Sequence, residues 1–323
     1  MTPTREDHAW HLASEPNSDH ETGSVTLNIG EPITDEHYAK ISSVTAFLAE
    51  VLSSSAYAHL QERHNDLKDV LATVAHAFEN RLQNPTTIQP LSGKLDDMLS
   101  ALRGFDDRTS HALSQRYSKD SVQYTTFKEA VSYEFDHNFA YRFSWHLRNY
   151  SQHRGNPISR INAGSHIGDS GSIERYCSPV FDSSELLADF DKWPARVRED
   201  LRTINGEFPV EVVIDSLMNS CTQAYSKSLL AQKTRIMEAV EYIRAVASEA
   251  TAEDEHPLLA YAKIATVTGE TRGVILSLSP IRVDLADAAE NALQQAAVIV
   301  CEAKRQGPGS TCCGGASPPL LKP

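Results

Sequence analysis

The chain has 323 residues, 41% of them hydrophobic and 23% charged, with a formal net charge of -13. That composition is ordinary for a folded protein with room for one or two cores, and the acidic balance argues against broad, sequence-independent binding of duplex DNA, whose affinity comes from neutralised phosphates. Five cysteines at 177, 221, 301, 312 and 313 show neither a CxxC pair nor zinc spacing, so no disulfide framework, metal site or cofactor is expected, a reducing cytoplasmic setting fits, and no apolar run is long enough to cross a membrane.

Residues 1–30 are rich in Thr, Ser, Glu, Asp and His, show no secretory signal, and read as a disordered tail containing one short extended piece from Val25 to Ile29. Helical signals begin near Asp35, with Ile41, Val44, Phe47, Leu48 and Val51 as a stripe and Ser53-Ser54-Ser55 as a break. A second helix is expected from about Ala56 to Arg81, with Leu60, Leu67, Val70, Leu71, Val74 and Phe78 inward. A third opens at Leu91, carries Leu95, Met98, Leu99 and Leu102, and is expected to be interrupted at Gly104.

From Ser121 to Arg154 no proline or glycine intervenes. Phe127, Val131, Phe135, Phe139, Phe143 and Leu147 recur every four residues, which is helical spacing, and Gly155 with Pro157 supplies the stop. Arg142, His146, Asn149 and His153 share one face of that helix, and Arg148 flanks it. Residues 137–168 hold no acid but four arginines (142, 148, 154, 160) and four histidines (137, 146, 153, 166). A basic island in an acidic chain suits a phosphate or carboxylate. It equally suits arginines paired with acids from neighbouring helices.

Residues 159–178 contain Gly164, Gly168 and Gly171 and read as a surface loop. A helix then starts at Ser183, read as its cap, with Leu186, Leu187, Phe190 and Trp193 inward. Pro194 begins a turn bearing Val197 and Leu201, closed by Asn205-Gly206. A long helix over 210–250, with a break near Ser220, reads as a spine or dimer surface, or as two helices packed in one core. His256-Pro257 restarts a short helix, and Ile264 to Val267 with Val274 to Leu278 form a hairpin. Asp284 to Ala303 is a last amphipathic helix, and 305–323, with Cys312 and Cys313, a disordered tail. The expectation is a mostly α protein: a disordered tail over 1–30, a multi-helix bundle over 31–250, a small β-hairpin near 262–279 plus helix over 251–304 packed on it, and a second tail.

Arg148-Asn149-Tyr150-Ser151-Gln152-His153 resembles the R-x(4–6)-H signature of HEPN domains, with the polar residue that often follows the arginine. Arg5 with His11 and Arg160 with His166 match the same loose spacing without the helical setting. HEPN domains are all-helical bundles, many of them metal-independent ribonucleases of toxin–antitoxin and phage-defence systems. The resemblance implies His153 as general acid or base, Arg148 beside the phosphate, Asn149 as an orienting donor, and Arg142, His146 and Arg154 as RNA contacts. It also implies a composite site in a homodimer and an antitoxin-type protein partner. Histidine suits such chemistry because it titrates near neutrality, and arginine because it is a permanent planar cation. A second reading stands beside it: Arg148 and His153 cap the last carbonyls of their helix, and the chain is a non-catalytic helical interaction or scaffold protein.

Overall fold

The computed structural model describes residues 8–16, 27–52, 55–79, 88–167, 173–251, 255–267 and 270–306. The chain divides into two compact units, one drawing on residues 1–54 and 232–295, the other on 55–231 and 296–323. The division differs from the sequence expectation. Helices at 35–51 and 233–250 belong with the C-terminal hairpin, not with the central helices.

The first unit is built on a four-stranded sheet of order β2-β1-β6-β7, antiparallel throughout. Its strands are β1 (Ala9–Pro16), β2 (Asn28–Ile33), β6 (Glu255–Val267) and β7 (Glu270–Pro280). The hairpin expected near 262–279 is present and longer at both ends, and His256-Pro257 lies in β6 where a helix was expected. Strand β1 corrects the reading of 1–30 as tail: His11, Ala13 and Ser14 are buried, and Leu12 registers with Leu259 of β6. Trp10 stacks on Tyr38 at 3.9 Å, and the His11 ring nitrogen Nδ1 lies 2.9 Å from the Gly30 carbonyl oxygen. Helix α1 (Asp35–Val51) is capped by Thr34, whose hydroxyl accepts from the His37 amide at 3.1 Å. It buries Ile41, Phe47, Leu48 and Val51, while α9 (Lys233–Ala250) buries Ile236, Ala239, Val240, Ile243 and Val246. Helix α10 (Val283–Gln306) follows β7.

The second unit is mostly helical. It contains α2 (Ala56–Glu79), α3 (Ile88–Tyr117), α4 (Val122–His137), α5 (Phe139–Arg154), α6 (Ser183–Asp189), α7 (Ala195–Ile204) and α8 (Val210–Ala231). A three-stranded antiparallel sheet, β3 (Arg160–Ile167), β4 (Ile173–Asp182) and β5 (Glu207–Pro209), replaces the expected loop over 159–178. Helix α3 runs through Gly104 without a break. A Cβ there would lie 2.7 Å from the Arg108 guanidinium, so the glycine makes room for that side chain. The cap of α6 is Asp182, whose Oδ1 accepts from Ser184 N at 2.8 Å. Ser183 is buried and accepts from Gly206 N at 2.8 Å. The long helix breaks at Gln232, between α8 and α9, not near Ser220. Asn205 adopts the left-handed conformation that ends α7.

The core of this unit is aromatic. Phe105 meets Phe127 edge-on at 5.5 Å, Phe143 packs on Phe181, Phe208 and Trp193, and Tyr150 stacks on Trp193 at 5.8 Å. The Trp193 indole donates to the Leu186 carbonyl at 2.8 Å, so its burial leaves no orphan donor.

Candidate functional site

The helix expected from Ser121 to Arg154 is two helices hinged at Asn138. The Asn138 side-chain oxygen accepts from the Ala140 and Tyr141 amides, and its side-chain amide donates to Ser220 of α8 at 2.7 Å. A strict four-residue repeat drifts about 40° per step round an α-helix, so six such positions cannot face one core along a straight rod. The break resolves that drift. Phe127 and Val131 are buried from α4, and Phe143, Leu147 and Tyr150 from α5. The end of α5 falls where the sequence places it. Gly155 takes φ 99° and donates to Ser151 O at 3.0 Å.

Arg142 does not look outward. It is 6% exposed and grips Asp200 of α7 with two nitrogens, Nε at 2.7 Å and Nη2 at 3.0 Å, while Nη1 donates to the Phe135 and Asp136 carbonyls at 3.2 and 3.3 Å. Its donors are spent on ending α4 and holding α7, a structural assignment that removes it as an RNA contact. His146 is half-buried, its ring edge-on to Phe135 at 5.9 Å. Burial first, and the Arg103 guanidinium second, hold it below the ordinary histidine range. Asn149, His153 and Arg154 are exposed, and Asn149 and His153 make no hydrogen bond or ion pair among the described residues.

Arg148 turns toward α3. Its Nε is buried without a hydrogen bond, and its charge bears on Arg103. On the same side, Ser151 donates to Asp96 of α3. Successive residues turn about 100° round an α-helix, so positions five apart stand about 140° apart. Arg148 and His153 therefore project from different flanks of α5, and the R-x4-H spacing does not make a convergent pair within one copy. The other matches to that spacing fall on strands: His11 is buried in β1, and Arg160 of β3 pairs with Asp182 at 3.0 Å and Glu207 at 3.0 Å. The acid-free island thus draws its acids from outside itself.

The side of α5 facing α3 and α4 holds an arrangement that the sequence analysis does not single out. Tyr141 and Trp145 line a cleft of about 210 Å3 with Asp106 of α3 and Lys128 and Phe135 of α4. Arg103 lies 3.5 Å over the Trp145 ring and donates to the Trp145 carbonyl at 3.0 Å. Lys128 bonds Asp106 Oδ1 at 2.8 Å, and Ser110 donates to the same oxygen at 3.1 Å. The Tyr141 hydroxyl is buried without a partner. The signal that could have found this face is the spacing of Tyr141, Trp145 and Arg148, at i, i+4 and i+7, a second stripe beside the histidine row.

Among the described residues no group of three or more His, Cys, Asp or Glu is placed to hold a metal ion, and no helix is long and apolar enough to cross a membrane. Comparison with protein-family profiles, with curated proteins and with solved structures returns no match for this chain.

Proposed function

We propose that this chain is a non-catalytic interaction protein that self-associates through strand β7. The observation that carries the reading is the condition of that strand. β7 is an edge of its sheet, so among the described residues one row of its backbone N–H and C=O groups has no neighbouring strand. Val274 is 62%, Ile275 38%, Leu276 56% and Leu278 46% exposed. Residues 273–281, Gly-Val-Ile-Leu-Ser-Leu-Ser-Pro-Ile, carry no charge to guard the edge. An unguarded apolar edge is a template for another strand.

The occupant we assign is a second copy. An antiparallel pair of β7 strands centred on Leu276 sets Val274 against Leu278. The homodimer implied by the HEPN resemblance is kept here on different grounds. The ribonuclease reading rests on Arg148 and His153, which within one copy occupy different flanks of α5, and the apolar edge of β7 is what favours the non-catalytic reading.

Light scattering on a sizing column tests it. The wild-type chain is expected at twice its mass of 35.7 kDa, and Leu276→Lys at the single-chain mass with unchanged helicity. A wild-type monomer at tens of micromolar, or a dimer that Leu276→Lys leaves intact, overturns the assignment.

A further inference from the structure

The cleft between α3, α4 and α5 is the other feature of the second unit that calls for an occupant. One wall is apolar, formed by Val131, Phe135 and Trp145. The charged groups in it, Asp106 and Lys128, are paired at 2.8 Å and leave no net charge to be matched. Both hydrogen bonds that Asp106 receives, from Lys128 and Ser110, fall on Oδ1, so Oδ2 retains accepting capacity. Tyr141 is 0% exposed, yet its hydroxyl has no hydrogen-bond partner among the described residues. A buried unpaired hydroxyl costs free energy that a phenylalanine at the same place would not. Burial also pushes the Tyr141 phenol well above its ordinary pKa, so it stays a hydrogen-bond donor at neutral pH. Trp145 is held in place by Arg103 on its ring and at its carbonyl.

We infer that this cleft binds a small, uncharged, largely apolar ligand carrying a hydroxyl group. The body lies against Val131, Phe135 and Trp145. The ligand hydroxyl accepts from Tyr141 and donates to the free oxygen of Asp106. A cavity of about 210 Å3 limits the ligand to about a single ring, since an apolar cavity of about 150 Å3 already takes benzene. The inference is independent of the self-association assigned to β7, which belongs to the other unit.

Three probes test it on the full chain: p-cresol, toluene and phenyl phosphate, each titrated while the Trp145 indole N–H resonance is followed, assigned by its loss in Trp145→Phe. Saturable binding of p-cresol is expected, with toluene weaker by about tenfold or more for want of two hydrogen bonds, one of them to a carboxylate. Tyr141→Phe should weaken p-cresol by about fivefold for the one hydrogen bond lost, leave it ahead of toluene through Asp106, and leave toluene unchanged. This variant should melt no lower than the wild type, because the hydroxyl it removes has no partner in the protein. Absence of saturable shifts for p-cresol means that water alone satisfies Tyr141, and overturns the inference. So does equal binding of p-cresol and toluene by the wild type, or a preference for phenyl phosphate, which would make the cleft an anion site.

Discussion

Replacing Arg142 with alanine should separate a structural cation from a nucleic-acid contact. The side chain makes four hydrogen bonds, two to the Asp200 carboxylate and one each to the Phe135 and Asp136 carbonyls. Removing one member of a buried ion pair typically costs about 3–5 kcal/mol, because the partner charge stays behind. The Asp200 side chain is 24% exposed, so water reaches it and the lower end, about 3 kcal/mol, is expected. For a unit of this size each kcal/mol shifts the melting midpoint by roughly 2–4 °C, so Arg142→Ala should melt about 6–12 °C lower. Circular dichroism at 222 nm measures it. Replacing both partners with apolar residues, Arg142→Met with Asp200→Leu, should recover most of the loss, since no charge is then stranded. If Arg142→Ala melts within about 1 °C of the wild type and instead loses RNA retention on a filter, the guanidinium faces solvent and the reasoning is refuted.

Three further outcomes follow from the same geometry. Total RNA incubated with the wild type should be cut no faster than with His153→Ala; cleavage that the substitution abolishes would restore a nuclease. The Glu134 carboxyl is held above the usual range by burial, despite its Ser220 hydrogen bond and the charges of Lys227 and His137. Its contribution to stability is therefore complete below the unfolded value near 4.5 and is lost as pH rises through the higher folded value. Glu134→Gln should accordingly raise the melting midpoint at pH 7 by on the order of 2 °C and lose that advantage near pH 4; a gain equal at both pH values would contradict it. His146 runs the other way: with its folded value below 6.5, the stability it contributes is present above pH 6.5 and lost as pH falls through the folded value. His146→Phe should flatten that acid limb in thermal melts, and an unchanged limb would place its origin elsewhere.

The helical stripes were legible because their signal is local. Ile41, Phe47, Leu48 and Val51, and Leu60, Leu67, Leu71 and Val74, are buried as their spacing requires, and Gly155 and Asn205 end helices where left-handed or similar backbone is needed. The strands were harder. β1 is held by pairing with β6, some 240 residues away, and nothing near Trp10 and His11 in the chain announces that partner. β3 carries Gly164, which reads as loop punctuation, and β3 and β4 become strand only through each other. At the candidate site the row of Arg142, His146, Asn149 and His153 was correctly placed on one face. Its burial is uneven, because α7 brings Asp200 to Arg142 and Phe135 lies edge-on to His146, while Asn149 and His153 stay exposed. Asn138 was the legible clue that was missed, an asparagine at the point where the four-residue repeat had outrun the helical turn.

The pairing of β1 with β6 has a consequence for how this chain comes into being. Ala13 sits beside Leu258, and Ser14 bonds Glu255 across 241 positions. At the usual pace of translation, about 5–20 residues per second, the first strand waits roughly 12–50 s for its neighbour to be made. In that interval residues 55–231, most of the second unit, are made. Until then β1 has only its nearer partners, strand β2 and the Tyr38 ring that stacks on Trp10, and the sheet is completed last.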